Sequence, residues 1–296
     1  MKIGYPGLNR TIGCSPSRTF RLANYSEERF VETVKENLNC LYEILKYNLA
    51  NNIMFFRIGS SIIPFASHEI NKLDWINYFG EDFKKIGDYI KAHKMRISMH
   101  PDHFVVLNAL KTNILENSIK DLIWHSQFLS ALGLDKTAKV QIHVGGMYGD
   151  KYESIKRFIH TYNSLPQMIK ERLVIENDDH IFSLKDCLSI HNETGIPIIF
   201  DNLHHECINN GESVREALEI FVKTWKAEDG LPMSDYTSQS LGERKGKHTE
   251  HINVDLFSEF LTQAKGLDFD IMLEIKDKEK SAIEAISILS KQLQKI

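Results

Sequence analysis

Short apolar runs alternate along this chain with longer amphipathic segments. The runs are KIGYPG (2–7), IMFFRIG (53–59), MRISMH (95–100), KVQIHVGG (139–146), RLVIEN (172–177), PIIFDN (197–202), LPMSDY (231–236) and DIMLEI (270–275). Most are nearly continuous in apolar residues, the pattern of strands covered on both faces in a parallel sheet. LPMSDY is the weakest of them. The segments between carry helix signals. Ser26 precedes Glu27 and Glu28, and Asp74 opens another segment. Asp150 with Glu153, and Ser213 with Glu216, have the spacing of a capping box. The closing EKSAIEAISILSKQLQKI (279–296) repeats its apolar residues at the helical period.

Strand candidates that are each followed by a helix candidate predict a (β/α)8 TIM barrel, one domain over residues 1–296. A doubly wound open sheet is the alternative, but it would want GxGxxG after the first strand, and YPGLNRTIG (5–13) does not supply it.

In a barrel the C-terminal strand ends share one face, and that face carries the site. His100, His143, Glu176, Asp201, Asp235 and Glu274 fall at the ends of the third to eighth runs, with His204 three residues after Asp201. His68 follows the second run by a loop, and His248 follows the seventh. Carboxylates gathered in one cleft raise one another's pKa, and bound divalent cations relieve that. Mixed His and carboxylate ligation suits Zn²⁺, Mn²⁺ or Fe²⁺. The set exceeds the needs of one ion, so two or three are expected, an arrangement suited to phosphoryl chemistry. Of the other histidines, His93, His125, His160 and His191 read as surface or packing residues. His180 and His205 are open, and His251 is expected to start the next helix.

Composition narrows the partners. The net charge is −4, so a nucleic-acid surface must be local rather than global. Such patches are offered by Arg244, Lys245 and Lys247 in GERKGKH (242–248), and by Arg10, Arg18 and Arg21 after the first run. Cys14, Cys40, Cys187 and Cys207 form no CxxC pair and read as reduced thiols, with neither a disulfide framework nor a zinc-cysteine site. The opening MKIGYPGLNR lacks the apolar core of a secretory leader, and no run is long enough to span a bilayer. An intracellular monomer is expected.

In their order, MKIGYPGLN, RTFRLANYSEERF, FFRIGSSIIPFASH, MHPDHF, QIHVGG, VIENDD and FDNLHH resemble the UV damage endonuclease family, related to endonuclease IV. The likeness spans nearly the whole chain. It implies a metal-dependent DNA-repair endonuclease, typically using manganese with up to three ions. Such an enzyme nicks damaged duplex DNA immediately 5′ of the lesion and leaves a 3′-hydroxyl. Carried over by position, the ligands are His68, His100, His143, Glu176, Asp201, His204, His248 and Glu274, with Glu176, His143 and Glu274 central to catalysis. The resemblance also implies lesion contacts by Tyr5, Asn9, His103 and Phe104; the family more commonly has Gln and Tyr at the last two.

The chain departs from the family at the seventh run. Met233 and Asp235 stand where the family typically has Lys-x-His. A thioether cannot be carboxylated to bridge metals, as that lysine can, whereas Asp235 can offer a hard oxygen. Two rival readings remain: a metal-dependent sugar isomerase or epimerase on a related barrel, and a damage-binding protein that has lost catalysis at this strand.

Overall fold

The computed structural model describes residues 1–293; the last three residues of the closing helical segment lie outside that range. All the strand-like runs form strands: β1 (Ile3–Pro6), β2 (Phe55–Gly59), β3 (Arg96–His100), β4 (Lys139–His143), β5 (Leu173–Glu176), β6 (Ile198–Asp201), β7 (Met233–Tyr236) and β8 (Asp270–Leu273). Each pairs in parallel with its neighbours, and β1 pairs with β8 to close a barrel. The weak seventh run is paired on both sides, with β6 and β8, so burial within the sheet overrides its modest strand pattern.

Helices α1 (Glu27–Ala50), α2 (Trp75–Tyr78), α3 (Gly80–Ala92), α4 (Thr112–Ala131), α5 (Lys151–Ser164), α6 (Gln167–Lys170), α7 (Leu184–Thr194), α8 (Asn202–Cys207), α9 (Val214–Val222), α10 (Val254–Gln263) and α11 (Glu279–Leu293) surround the barrel. Ser26 caps α1 by accepting from the Arg29 amide. Ser213 and Glu216 form the full capping box of α9. Asp150 caps α5 through the Glu153 amide, but Glu153 pairs with Lys156 instead of reaching back. Among the described residues, no helix is long and apolar enough to cross a membrane.

The apolar core lies between barrel and helices, because alternate strand residues point outward. In β2, Phe56 and Ile58 belong to that layer. Arg57 between them points to the barrel axis, where it bonds Asp235 of β7, a strand that is not its neighbour. Lower in the barrel, Arg96 of β3 pairs with Asp270 of β8 at 2.8 Å, again across the axis. The close approach of α3 to the end of α4 needs Gly87: a Cβ there would meet the Leu132 carbonyl oxygen at 1.7 Å.

The cysteines depart from expectation. Cys14 and Cys40 form a disulfide, with Cα atoms 5.8 Å apart, while Cys187 and Cys207 are free. Linear spacing hides the pairing because the segment after β1 folds back along α1. The same fold-back lets Asn37 of α1 bond both the Arg18 amide and the Arg18 carbonyl. The disulfide closes a separation of 26 residues, so reducing it is expected to cost about 3 kcal/mol. Thiol titration of the denatured, unreduced protein should find two thiols, and urea unfolding with and without reductant should show that loss. Four free thiols would refute the pairing.

Candidate metal centre

Strand alternation and closure gather the polar strand ends at the C-terminal mouth. A cavity of about 440 Å³ there is lined by His100, His103, His143, Glu176, His204, Arg244, His248 and Glu274, among others. Glu176 is its hub. Its Oε2 lies 3.4 Å from His100 Nε2 and 3.6 Å from His143 Nε2, and its Oε1 lies 3.0 Å from His204 Nδ1. Two ligand-like groups therefore share this carboxylate: His100, His143 and Glu176, and Glu176, Asp201 and His204.

The donors fit a divalent ion. Separations of 3.4–3.6 Å are long for hydrogen bonds. They suit donors that each approach one ion to about 2.1 Å. His100 Nδ1 sits 2.8 Å from the Pro101 carbonyl and His248 Nδ1 2.8 Å from the Glu274 carbonyl, which fixes each ring and frees Nε2 for the cavity. Buried Asp201 Oδ2 and His143 Nδ1 have no partner among the described residues. Electrostatics tell the same story. Burial opposes the charged form of Glu176, but His143, His100 and His204 hold its carboxyl well below the usual range. Burial pushes Asp201 well up, and the Glu176 and Glu274 charges add to it against the pull of His204. Burial opposes protonation of His204, yet Asp201 and Glu176 raise its pKa. Burial lowers the pKa of His143, whereas at His100 burial is outweighed by Glu176, which raises it.

Beneath these ligands lies a part that sequence reasoning missed. Arg57 Nη2 donates to Asp235 Oδ1 at 2.5 Å and to Gln141 Oε1 at 2.7 Å, and its Nη1 donates to Glu274 Oε1 at 2.5 Å. Gln141 Nε2 donates to Glu176 Oε2 at 2.5 Å and to Asp235 Oδ2 at 2.6 Å. Burial works against the Arg57 charge, but Asp235 and Glu274 outweigh it and raise its pKa. Burial also opposes the charge on Glu274, and Arg57 beside it brings the carboxyl down to about 2. The available signals were an arginine inside FFRIG and a glutamine inside KVQIH, polar residues in strands that otherwise read as buried.

Several expected site residues sit elsewhere. Tyr5 is fully buried: its hydroxyl donates to Asn48 of α1 and accepts from Asn9, and its ring packs on Phe56 at 5.2 Å. This corrects the expectation of a lesion contact. In β1 the alternation sends Tyr5 to the helix layer, and Asn9 is buried with it. Asn9 Oδ1 also accepts from the Thr11 and Ile12 amides and so shapes the loop. His68 is exposed beside Phe65, its Nδ1 accepts from the Ile70 amide, and the structure does not bring it to the cluster. His251 does not start a helix; Asn253 caps α10, and His251 pairs with Asp277 and Glu284. His125 is buried against the Asp121 carbonyl and the Ser60 hydroxyl, a packing role. His205 is likewise buried, near the Glu212 carbonyl.

The mouth has a basic side. A groove lined by Pro6, Arg244, Lys247, Lys276 and Lys278 shares Arg244, Gly246, His248 and Glu274 with the cavity. Lys247 pairs with Glu243 and Lys276 with Glu250, and Lys245 bonds the Cys207 carbonyl. Arg244 and Lys278 have no ion-pair partner among the described residues. Lys278, with φ +58°, is a further residue that sequence reasoning missed. His103 stacks on His143 at 5.1 Å, while Phe104 is 68% exposed above it. Leu241 stands 95% exposed in the loop that carries Arg244.

A parallel barrel with a histidine–carboxylate cluster at its C-terminal mouth has its candidate site where barrel enzymes carry theirs. Over residues 1–296 the sequence matches the family model described as UV-endonuclease UvdE, and the chain belongs to that family. It is 42% identical to the UV DNA damage endonuclease of Clostridium perfringens over 98% of this chain and 71% of that one. It superposes on the crystal structure of SacUVDE with a TM-score of 0.95 and 45% identity, covering all of both chains. Endonuclease IV from Thermus thermophilus shares the fold, with a TM-score of 0.61 and 15% identity over 87% of this chain and 95% of that one.

Truncating Arg57 would leave Asp235 and Glu274 buried without their cation. Arg57→Met is therefore expected to destabilise the metal-free protein by about 3–5 kcal/mol in urea unfolding. A loss under about 1 kcal/mol would show that this pair does not hold the barrel interior together.

Proposed function

We propose that this chain is a DNA-repair endonuclease that nicks UV-damaged duplex DNA immediately 5′ of the lesion by metal-dependent phosphodiester hydrolysis, leaving a 3′-hydroxyl. The observation that carries the reading is the position of Glu176. It is shared by both ligand-like groups, in a cavity that opens onto a groove with the unpaired cations Arg244 and Lys278. A family named for UV endonucleases supports the same reading.

His100, His143, Glu176, Asp201, His204, His248 and Glu274 are the residues that would hold two or three divalent ions, Mn²⁺ by family resemblance. Bound there, such ions polarise phosphoryl oxygens, lower the pKa of water and stabilise a leaving oxygen. The chain's own groups do the rest. Arg244 and Lys278 draw backbone phosphates towards the cavity. The Pro101 and Glu274 carbonyls hold the His100 and His248 rings in one orientation. Exposed Phe104 and Leu241 offer apolar surface to bases that have lost their stacking. A lesion lowers the cost of extruding its bases, so such a surface favours damaged over intact duplex.

With Mn²⁺, a duplex bearing one pyrimidine dimer should be nicked 5′ of the dimer, with a 3′ end that a polymerase extends, while the intact duplex stays whole. Glu176→Gln should lower that rate at least about 100-fold, since both ligand groups lose their shared carboxylate. Equal nicking of both duplexes, or an active Glu176→Gln, would sink the proposal; damage-selective binding without nicking would favour a pure damage-binding protein. Arg244→Ala should weaken binding to both duplexes and flatten the log K against log salt slope by about 1. An unchanged slope would remove Arg244 from the phosphate contacts.

A further inference from the structure

Asp235 differs from the other carboxylates at the mouth. Both of its oxygens are already engaged, Oδ1 by Arg57 at 2.5 Å and Oδ2 by Gln141 at 2.6 Å, and the side chain is fully buried. Asp201, by contrast, has a buried oxygen with no partner among the described residues. Gln141 is used to capacity: its carbonyl oxygen accepts from Arg57, and its amide nitrogen serves Glu176 and Asp235. Because the guanidinium can only donate, this fixes which end of the amide faces which neighbour. Arg57 spans Asp235 and Glu274 with different nitrogens, which its planar fork allows and an ammonium does not.

We infer that Asp235 is not a metal ligand but the anchor of a positioning network, in which it holds Arg57 and Gln141, and these in turn aim Glu274 and Glu176 into the cavity. The inference rests on the reading of Glu176 and Glu274 as ion-holding residues. Each of the two carboxylates receives one strap from below, Glu274 on Oε1 from Arg57 and Glu176 on Oε2 from Gln141. Oε2 of Glu274 is left towards His248, at 3.7 Å, and Oε1 of Glu176 towards His204. The network joins β2, β4, β5, β7 and the end of β8, so it fixes the ligands relative to the barrel strands rather than to the loops above them. It also gives a role to the departure at the seventh strand: Asp235 supplies two acceptors in a plane, which an imidazole cannot.

Equilibrium dialysis of the full chain against Mn²⁺ alone, with metal counted and affinity fitted, tests this. Asp235→Asn should bind as many ions as the wild type, with affinity weakened about 10–100-fold. The electron paramagnetic resonance spectrum of its bound Mn²⁺ should broaden as the ligands lose their fixed aim. Gln141→Met removes the strap to Glu176 together with the Gln141 bonds to Arg57 and Asp235, and leaves Arg57 on Asp235 and Glu274; it should behave in the same way and serves if Asp235→Asn does not fold. Loss of one ion in Asp235→Asn, with the remaining affinity unchanged, overturns the inference alone and makes Asp235 a ligand. Unchanged count, affinity and spectrum in both variants overturn it as well. A wild-type chain that binds no Mn²⁺ overturns the metal reading, and this inference falls with it.

Discussion

Four carboxylates at one end of a barrel must not be left to repel one another in a poorly solvated interior, and most of the site is arranged around that constraint. Glu176, Asp201 and Asp235 are buried and Glu274 is nearly so. In such surroundings, charges a few ångströms apart interact far more strongly than in water. The barrel answers in two ways. On one side Arg57, fully enclosed, shares its one positive charge between Asp235 and Glu274. On the other, His100, His143 and His204 crowd Glu176 and Asp201, and share with them the space in which divalent ions would sit. The arginine is permanent and belongs to the fold.

The fold makes this arrangement possible by separating two jobs along each strand. Outward residues such as Phe56, Ile58 and Tyr5 build the apolar layer under the helices. Inward residues meet partners across the axis: Arg96 with Asp270 low in the barrel, Arg57 with Asp235 above them, and the ligand cluster at the mouth. Pairing from β1 round to β8 holds these inward groups to a rigid frame. The loops above carry exposed Phe104, Leu241 and Arg244.

The strands and most of the cluster were legible from local pattern. Each apolar run became a strand, with ends within a few residues of the run, and His100, His143, Glu176, His204, His248 and Glu274 all line one cavity. What failed depended on direction or on distant partners. Tyr5 lies one residue from the mouth-facing end of β1, yet the alternation of a strand turns it to the helix side. His68 follows a loop whose path the composition does not encode. The Cys14–Cys40 pairing follows from a fold-back that residue spacing does not reveal.

The residue pattern alone was enough for the barrel, for the end that carries the site and for the class of donor gathered there. Strand periodicity and strand-end position are local properties, and each is written in a handful of consecutive residues. Which donor faces which partner was settled only on closure. Arg57 and Asp235 are 178 residues apart, on strands that are not neighbours, and meet only because the sheet curves round to join β1 to β8. The placing of Arg57 beneath the histidine–carboxylate cluster arises at that step. It depends on distances across the axis that are set by the closed barrel as a whole, not by any one strand.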